Sequence, residues 1–284
     1  MKLTWALTEI QIALANSRGI ANYWFSFGDS YTSTGFVSDG IQPSPESPLG
    51  NPPFPGMTTT GGTNWIDQCT VKYNKSLVLT YNYAYPGATI DNALVNTGAK
   101  SMTDQVNEFL GSIGSSQSVP WTGENTLFSF WIGINDIGNT YSEPGSRDAF
   151  SDTLLWAYFN LVEKNAGARN FLFINVPPVN RSPMMMSNGA AERAQEAAVI
   201  AGYNAKLARR VQWLLGNNTA VKTWLWDSHT AFAAILNDPR AYGFVDNTTF
   251  GQPNAFWGDN YHPSSTAHEL CAQNIANILN ATIW

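Results

Sequence analysis

The chain has 284 residues, enough for one large domain or two small ones, and 44% of them are hydrophobic, so a sizeable core can form. The net charge of −6 and an isoelectric point near 5.0 argue against nucleic acid or an anionic membrane as the main partner. Charged residues make up only 13%, and the neutral polar surface that this implies is typical of secreted proteins.

The first twenty residues resemble an export leader of unusual composition. Lys2 precedes apolar residues and residues 13–15 have the Ala-x-Ala form of a cleavage site, but Glu9 interrupts the apolar stretch. Five Asn-x-Ser/Thr sequons also favour an extracellular glycoprotein: Asn74, Asn180, Asn217, Asn247 and Asn280. No apolar run approaches the ~18–20 residues that span a bilayer. We therefore predict a degenerate leader over 1–20 and export of the mature protein.

Short apolar runs alternate with longer amphipathic stretches, which predicts an α/β fold with a parallel sheet. The apolar runs are rich in aromatic and β-branched residues and lack polar alternation, as expected for strands covered on both faces. The predicted elements are, in chain order, strand 23–27, strand 77–82, helix 102–113, strand 127–132, helix 148–163, strand 170–175, helix 190–215, strand 221–226 and a last helix from just after Pro263 to about Leu279.

The helix predictions depend on apolar residues that recur every three or four positions. The strongest is helix 190–215, which carries this stripe: Ile200, Tyr203, Leu207, Val211 and Leu214. The last helix follows Pro263, with Ser264 or Ser265 as its predicted cap. We interpret all these stripes as core.

Residues 41–62 have no periodicity and contain six prolines. Too few residues precede this segment for it to link two domains, so we predict a long ordered loop beside the functional site. Because no internal repeat or low-complexity tract is present, we predict one domain over residues 21–284.

The two cysteines, Cys69 and Cys271, show neither a CxxC pattern nor the spacing of zinc ligands. They form either one long-range disulfide or two buried thiols. No metal site is predicted.

Only three histidines are present, and one of them has a carboxylate at a useful spacing. His262 lies in the segment Gly-Asp-Asn-Tyr-His-Pro (258–263), where Asp259 can fold back onto the imidazole and stabilise its charged form. His229 and His268 have no such partner in sequence, and we interpret both as structural.

A Gly-Asp-Ser turn (28–30) follows the first predicted strand directly. Ser30 therefore lies at the carboxyl end of that strand, the edge at which open α/β sheets bind ligands. The turn is either the site of a nucleophile or a helix cap without chemistry.

Two further turns follow strands at the same edge. Asn135 lies in Gly-Ile-Asn-Asp (133–136), and Gly87 follows the second strand. An Asn amide and an unobstructed backbone N–H are the donors that an oxyanion hole requires. Taken one at a time, both residues are ordinary turn residues.

Taken together, these four segments occur in the same order as the conserved motifs of the SGNH/GDSL hydrolases. The chain therefore resembles that family over about residues 23–280. The resemblance implies a flavodoxin-like three-layer α/β/α fold with five parallel strands, and no cofactor or metal. It also implies that Ser30 is the nucleophile, that His262 is the base and Asp259 its orienting acid, and that the backbone N–H groups of Ser30 and Gly87, with the Asn135 side chain, bind the oxyanion. The α/β-hydrolase pattern G-x-S-x-G is absent.

A finer resemblance is to fungal acetyl esterases of carbohydrate esterase family 16, carried by residues 26–36, residues 62–67 and the proline-rich loop. It implies hydrolysis of O-acetyl groups on hemicellulose-derived oligosaccharides. The alternatives are a lipase or lysophospholipase acting on longer acyl chains, and a non-catalytic carbohydrate-binding protein. Sugars favour aromatic platforms, and we predict that one or two of four tryptophans stack on sugar: Trp65, Trp121, Trp131 and Trp257.

Overall fold

The computed structural model describes residues 21–116, 118–164 and 167–284, so the predicted leader lies outside the described residues. The described elements are, in chain order, β1 (Asn22–Gly28), α1 (Trp65–Val71), β2 (Val78–Asn82), α2 (Met102–Gly111), β3 (Thr126–Trp131), α3 (Ile134–Thr140), α4 (Arg147–Glu163), β4 (Asn170–Ile174), α5 (Pro183–Met186), α6 (Ala190–Asn217), β5 (Lys222–Trp226), α7 (Ser228–Asn237) and α8 (Ser265–Ile278). Short 3₁₀ turns lie at Val179–Arg181 and Pro239–Tyr242.

The five strands form one parallel sheet in the order β2-β1-β3-β4-β5. This is the flavodoxin-like order, in which the direction of winding reverses between β1 and β3. Gly28 at the end of β1 pairs with Trp131 at the end of β3. The predicted fold class is confirmed, and the reversal leaves a crevice where Ser30 and Asn135 follow the two strands.

Aromatic side chains cover both faces of the sheet. On one face Trp24 of β1 and Trp131 of β3 each contact Trp65 of α1, with ring centroids 6.0 Å apart in both pairs. On the other face Phe25 contacts Phe109 of α2 at 4.7 Å. Successive strand residues point to opposite faces, and α1 packs against α8 whereas α4 packs against α6. The result is three layers with the sheet in the middle.

The longer helices agree with the predicted ones within about two residues, and the Ser264 side chain caps α8 by accepting the N–H of Ala267. Four helices were not predicted: α1, α3, α5 and α7. Three of them, α1, α3 and α5, have seven residues or fewer, too short for a clear helical period, and α7 has ten. None of the helices in the described ranges is long and apolar enough to cross a membrane.

The long loop over residues 41–62 is anchored to the sheet and to the Ser30 turn. The N–H of Thr80 in β2 donates to the carbonyl of Pro48 at 2.8 Å. The Thr59 hydroxyl donates to the Ser30 carbonyl, also at 2.8 Å. The loop is therefore ordered and lies beside the Ser30 turn, where the sequence analysis expects the nucleophile.

Cys69 of α1 and Cys271 of α8 are both free and buried. The disulfide alternative is therefore wrong, and the two buried thiols are correct. Burial raises the pKa of both thiols above the ordinary range, which makes them poor nucleophiles.

Candidate active site

Three side chains from two distant parts of the chain form one line of hydrogen bonds. His262 Nε2 lies 2.8 Å from Ser30 Oγ, and His262 Nδ1 lies 2.8 Å from Asp259 Oδ2. In this arrangement an imidazole can take the proton of a hydroxyl group while a carboxylate stabilises the resulting positive charge.

The Asp259 carboxylate is held by the backbone of its own turn. Its Oδ1 accepts the N–H groups of Tyr261 at 2.7 Å and of His262 at 2.6 Å, which leaves Oδ2 for the imidazole. Burial raises the pKa of Asp259, but the hydrogen bonds from His262 and Tyr261 outweigh burial, and the pKa lies below its ordinary value. The spacing Asp-x-x-His therefore keeps the carboxylate ionised and facing Nδ1.

Tyr31 joins the serine turn to the histidine turn. Its buried hydroxyl donates to the carbonyl of Tyr261 at 2.6 Å, and its ring centroid lies 5.5 Å from that of His262. Because Tyr31 follows Ser30 directly, this contact fixes the distance between the hydroxyl and the imidazole. Tyr31 was not predicted from the sequence, where its position next to Ser30 is its one signal.

Gly28 ends β1 at a point where a side chain does not fit. A Cβ atom there would lie 2.6 Å from the carbonyl oxygen of Trp131. The buried amide of Gln105 in α2 clamps the same residue, because Oε1 accepts the Gly28 N–H at 3.0 Å and Nε2 donates to the Gly28 carbonyl at 2.9 Å. Gln105 was not predicted from the sequence either. The feature that points to it is its position beside Met102 and Val106, where a polar residue lies on the apolar face of the helix.

Gly87 lies in a tight turn that requires glycine. The Ala88 N–H donates to the Tyr85 carbonyl at 3.1 Å, and Gly87 has φ +77°. Pro at the second position and Gly at the third are typical of a type II turn, in which the third residue needs a positive φ. Neither the Gly87 N–H nor the Ser30 N–H donates a hydrogen bond to any part of the chain that the structure describes.

Asn135 at the start of α3 is tied to this glycine turn. Its Nδ2 donates to the Ala88 carbonyl at 2.9 Å, which orients the amide and leaves its second N–H free of any described partner. The neighbouring Asp136 carboxylate accepts the Ile90 N–H at 3.1 and 3.2 Å. The amide of Asn135 and the N–H groups of Ser30 and Gly87 are therefore available to a ligand oxygen at this rim.

The remaining histidines lie apart from this line of hydrogen bonds. His229 is at the start of α7, where its backbone N–H donates to Asn175 Oδ1 at 3.0 Å. His268 is fully buried in α8, and its ring nitrogens have no partner among the described residues. Burial, and then the nearby His262, lower the pKa of His268 to about 3, so it is neutral at physiological pH. Both histidines agree with the structural interpretation.

The proposed tryptophan platforms are not available to a sugar. Trp65 and Trp131 are 0% exposed and Trp257 is 1% exposed. Trp121 precedes β3, so it lies at the opposite edge of the sheet from Ser30. The prediction was wrong because composition does not separate core tryptophans from surface ones. The aromatic side chain that is exposed next to Gly87 is Tyr85, at 44%.

Burial raises the pKa of several carboxyl groups near and below the site. The pKa of Asp29, next to the serine, rises to about 8, and burial is the largest cause. Burial likewise raises the pKa of Asp67, Asp136 and Glu196 to about 7. Each is 1% exposed or less.

We expect the free energy of unfolding to fall as the pH rises from about 6.5 to about 8.5. In the unfolded chain these carboxyls lose their protons near their ordinary values of 3.8 and 4.5, whereas in the folded protein they keep them to about 7 or 8. Their stabilisation is complete at low pH and is lost as the pH passes the folded pKa. The lowered pKa of His268 has the opposite effect on the free energy of unfolding, but only at pH values below its ordinary pKa of 6.5.

Thermal denaturation followed by circular dichroism measures this effect. The Tm should be lower at about pH 8.5 than at about pH 6.5 by about 5 °C or more. In Asp29→Asn the same comparison should give a smaller difference. A Tm that stays constant or rises over this range would contradict the assignment of raised carboxyl pKa values.

Comparisons with known proteins agree on one family. Residues 25–275 match the profile of a family described as GDSL-like Lipase/Acylhydrolase. The chain is 36% identical over 264 residues to an acetylesterase of Thermothelomyces thermophilus, with 90% of this chain and 87% of the relative covered. It is 23% identical over 312 residues to an acetylesterase of Hypocrea jecorina, with 91% and 88% covered. A solved acetylxylan esterase from Geobacillus stearothermophilus has a similar fold, with a TM-score of 0.54 at 14% identity over 91% of this chain and 94% of that one.

Proposed function

The chain belongs to the GDSL-like Lipase/Acylhydrolase family and is a carboxylic ester hydrolase, and we propose that it hydrolyses acetyl esters, with O-acetylated hemicellulose-derived oligosaccharides as substrates. The observation that carries the proposal is the line of hydrogen bonds from Asp259 through His262 to Ser30. The family match over residues 25–275 confirms the resemblance to SGNH/GDSL hydrolases, whereas the assignment to carbohydrate esterase family 16 is part of the proposal.

In the first half of the reaction Ser30 is acylated. Ser30 Oγ attacks the carbonyl carbon while His262 Nε2 takes its proton, and Asp259 stabilises the imidazolium. The tetrahedral intermediate then collapses, the bond between the carbonyl carbon and the alcohol oxygen breaks, and His262 returns the proton to the leaving alcohol. Ser30 now carries the acetyl group.

In the second half water repeats the same steps. His262 takes a proton from water, the hydroxide attacks the acetyl carbon, and the intermediate releases acetate as the proton returns to Ser30 Oγ. In both halves the carbonyl oxygen becomes negative, and we assign its stabilisation to the N–H groups of Ser30 and Gly87 and the amide of Asn135. One such donor lowers the barrier by about 3–4 kcal/mol.

The surroundings of the site support a polar leaving group. The cavity that adjoins Asn135 has a volume of about 180 Å³, and polar side chains of Asn139, Glu196 and Tyr261 contribute to its wall. A long acyl chain would leave these polar groups without partners, whereas a sugar hydroxyl would satisfy them. The two acetylesterase relatives support acetyl as the acyl group.

Chain length of the acyl group is the sharpest test. We expect kcat/KM for 4-nitrophenyl acetate to exceed that for 4-nitrophenyl octanoate by about 100-fold or more, because the octanoyl chain gains no apolar channel. Acetate release from acetylated xylo-oligosaccharides, followed position by position, then tests the sugar. A preference for octanoate would overturn the acetyl proposal in favour of a lipase or lysophospholipase.

Export of the protein is a further part of the proposal. The support comes from the sequons, since the side chains of Asn217, Asn247 and Asn280 are exposed, as glycosylation requires.

A further inference from the structure

A cavity of about 180 Å³ lies beside Asn135, between α3, α5, α6 and Tyr261. Asn135 carries the amide that we assign to the carbonyl oxygen, and Tyr261 precedes His262, the base. The cavity therefore adjoins the proposed oxyanion donor and the residue that precedes the base.

Glu196 contributes a carboxyl group to the wall of this cavity. It is 1% exposed, and its Oε2 has no hydrogen-bond partner in the described part of the chain. On α6 it precedes the stripe of Ile200, Tyr203 and Leu207, all 0% exposed, so packing alone would favour an apolar residue at this position. A buried carboxyl without a partner destabilises a fold, which indicates that another group pairs with it.

The chemistry of the wall selects among ligands. Burial raises the pKa of Glu196 to about 7, so in mildly acidic solution the carboxyl group both donates and accepts hydrogen bonds. Burial, and then the Glu196 charge, raise the pKa of Tyr261, which keeps its phenol neutral. Met185 adds an apolar surface to the same cavity. Polar edges combined with an apolar face match a sugar ring, and they do not match the methyl group of acetate.

We propose that Glu196 binds a hydroxyl group of the sugar that carries the acetyl group, so that this cavity is the binding site for the alcohol part of the ester. The inference rests on the proposed function. It assigns to α6 a role in substrate choice, since Glu196 contacts the leaving group and takes no part in the transfer of protons.

Two acetates that differ in their alcohol part test this role. One is 4-nitrophenyl acetate, which offers no hydroxyl group, and the other is a monoacetate of methyl β-D-xylopyranoside. We expect the ratio of kcat/KM for the sugar acetate to kcat/KM for the aryl acetate to fall about tenfold or more in Glu196→Leu. The fall should be smaller in Glu196→Gln, whose amide still pairs with a hydroxyl, and should appear mainly in KM.

Glu163→Gln is the matched control, because Glu163 is an exposed glutamate at the end of α4, outside the cavity wall. As a second measurement, unacetylated methyl β-D-xylopyranoside should inhibit aryl acetate hydrolysis by the wild type and inhibit both Glu196 variants less. If Glu196→Leu does not fold, Glu196→Gln and the inhibition experiment decide.

The outcomes separate the two proposals. If the wild type hydrolyses both acetates but the Glu196 variants leave the ratio unchanged, or lower both rates equally, the role of Glu196 is refuted while the esterase proposal stands. If the wild type hydrolyses neither acetate, the proposed function itself fails.

Discussion

Ser30→Ala should lower kcat for 4-nitrophenyl acetate by on the order of 10⁴–10⁶-fold while the protein stays folded. The substitution removes the one oxygen that lies 2.8 Å from His262 Nε2, and no acyl-enzyme can then form. The fold should survive because, among the described residues, the lost atom bonds only to the imidazole. The turn itself is held by other contacts: Gln105 bonds to Gly28, and Tyr31 bonds to Tyr261. Steady-state kinetics, together with the Tm of the variant, measure both expectations.

Ser33→Ala is the matched control for this result. Ser33 lies in the same turn and is 1% exposed, but within the described residues its hydroxyl forms only one long bond, which it accepts from the Gly35 N–H at 3.4 Å. We expect its kcat to stay within about tenfold of the wild type.

In addition, the double variant Ser30→Ala/His262→Ala should be no slower than Ser30→Ala, since the effects of residues that act as a unit are not additive. Equal hydrolysis by Ser30→Ala and the wild type would refute the mechanism.

The sheet could be predicted because its strands carry their own signal. β1 to β4 are buried at every position, so their residues are mostly apolar, whereas β5 at the edge of the sheet is only partly buried. The order of the strands followed from the family resemblance rather than from the strands themselves. The long helices were equally clear, because α6 repeats its apolar stripe from Ile200 to Leu214.

The short helices and the clamping residues could not be predicted for a different reason. α1 spans only Trp65–Val71, and its start depends on a capping box between Asn64 and Asp67 rather than on a period. Gln105 and Glu196 lie at buried positions of amphipathic helices. An apolar periodicity identifies the buried face of a helix but does not indicate which polar residues lie on it. Gln105 finds its partner in β1, and Glu196 lines a cavity between several elements, so their roles become visible only in three dimensions.

The candidate site could be predicted in outline because parallel strands bring their carboxyl ends to one edge of the sheet. Ser30, Gly87 and Asn135 each follow a strand, and the order of strands makes those turns neighbours. His262 follows no strand directly, and only its Asp-x-x-His spacing and the family resemblance indicated that it reaches Ser30. The contact between Tyr31 and Tyr261 that brings the two turns together has no counterpart in any local pattern.

Asp259→Asn should lower kcat by about 10⁴-fold and leave KM nearly unchanged. The backbone N–H groups of Tyr261 and His262 both point at Oδ1, so the oxygen of the new amide must stay there. Its NH₂ group then faces His262 Nδ1, which can only accept a hydrogen bond in that position. The imidazole proton therefore moves to Nε2, where it faces Ser30, and the ring cannot take the proton of the hydroxyl.

Asp246→Asn separates this effect from the loss of a turn. Asp246 also accepts two backbone N–H groups with one oxygen, from Thr248 at 2.8 Å and Thr249 at 2.6 Å. Its other oxygen accepts the Thr249 hydroxyl. A hydroxyl group can rotate and accept a hydrogen bond from the new amide instead. Its kcat should stay close to that of the wild type. If Asp259→Asn were as active as Asp246→Asn, Asp259 would serve only to shape its turn, and the tautomer of His262 would have to be set by another group. If both variants lost activity equally, folding of the carboxyl-terminal loops rather than the position of a proton would limit the rate.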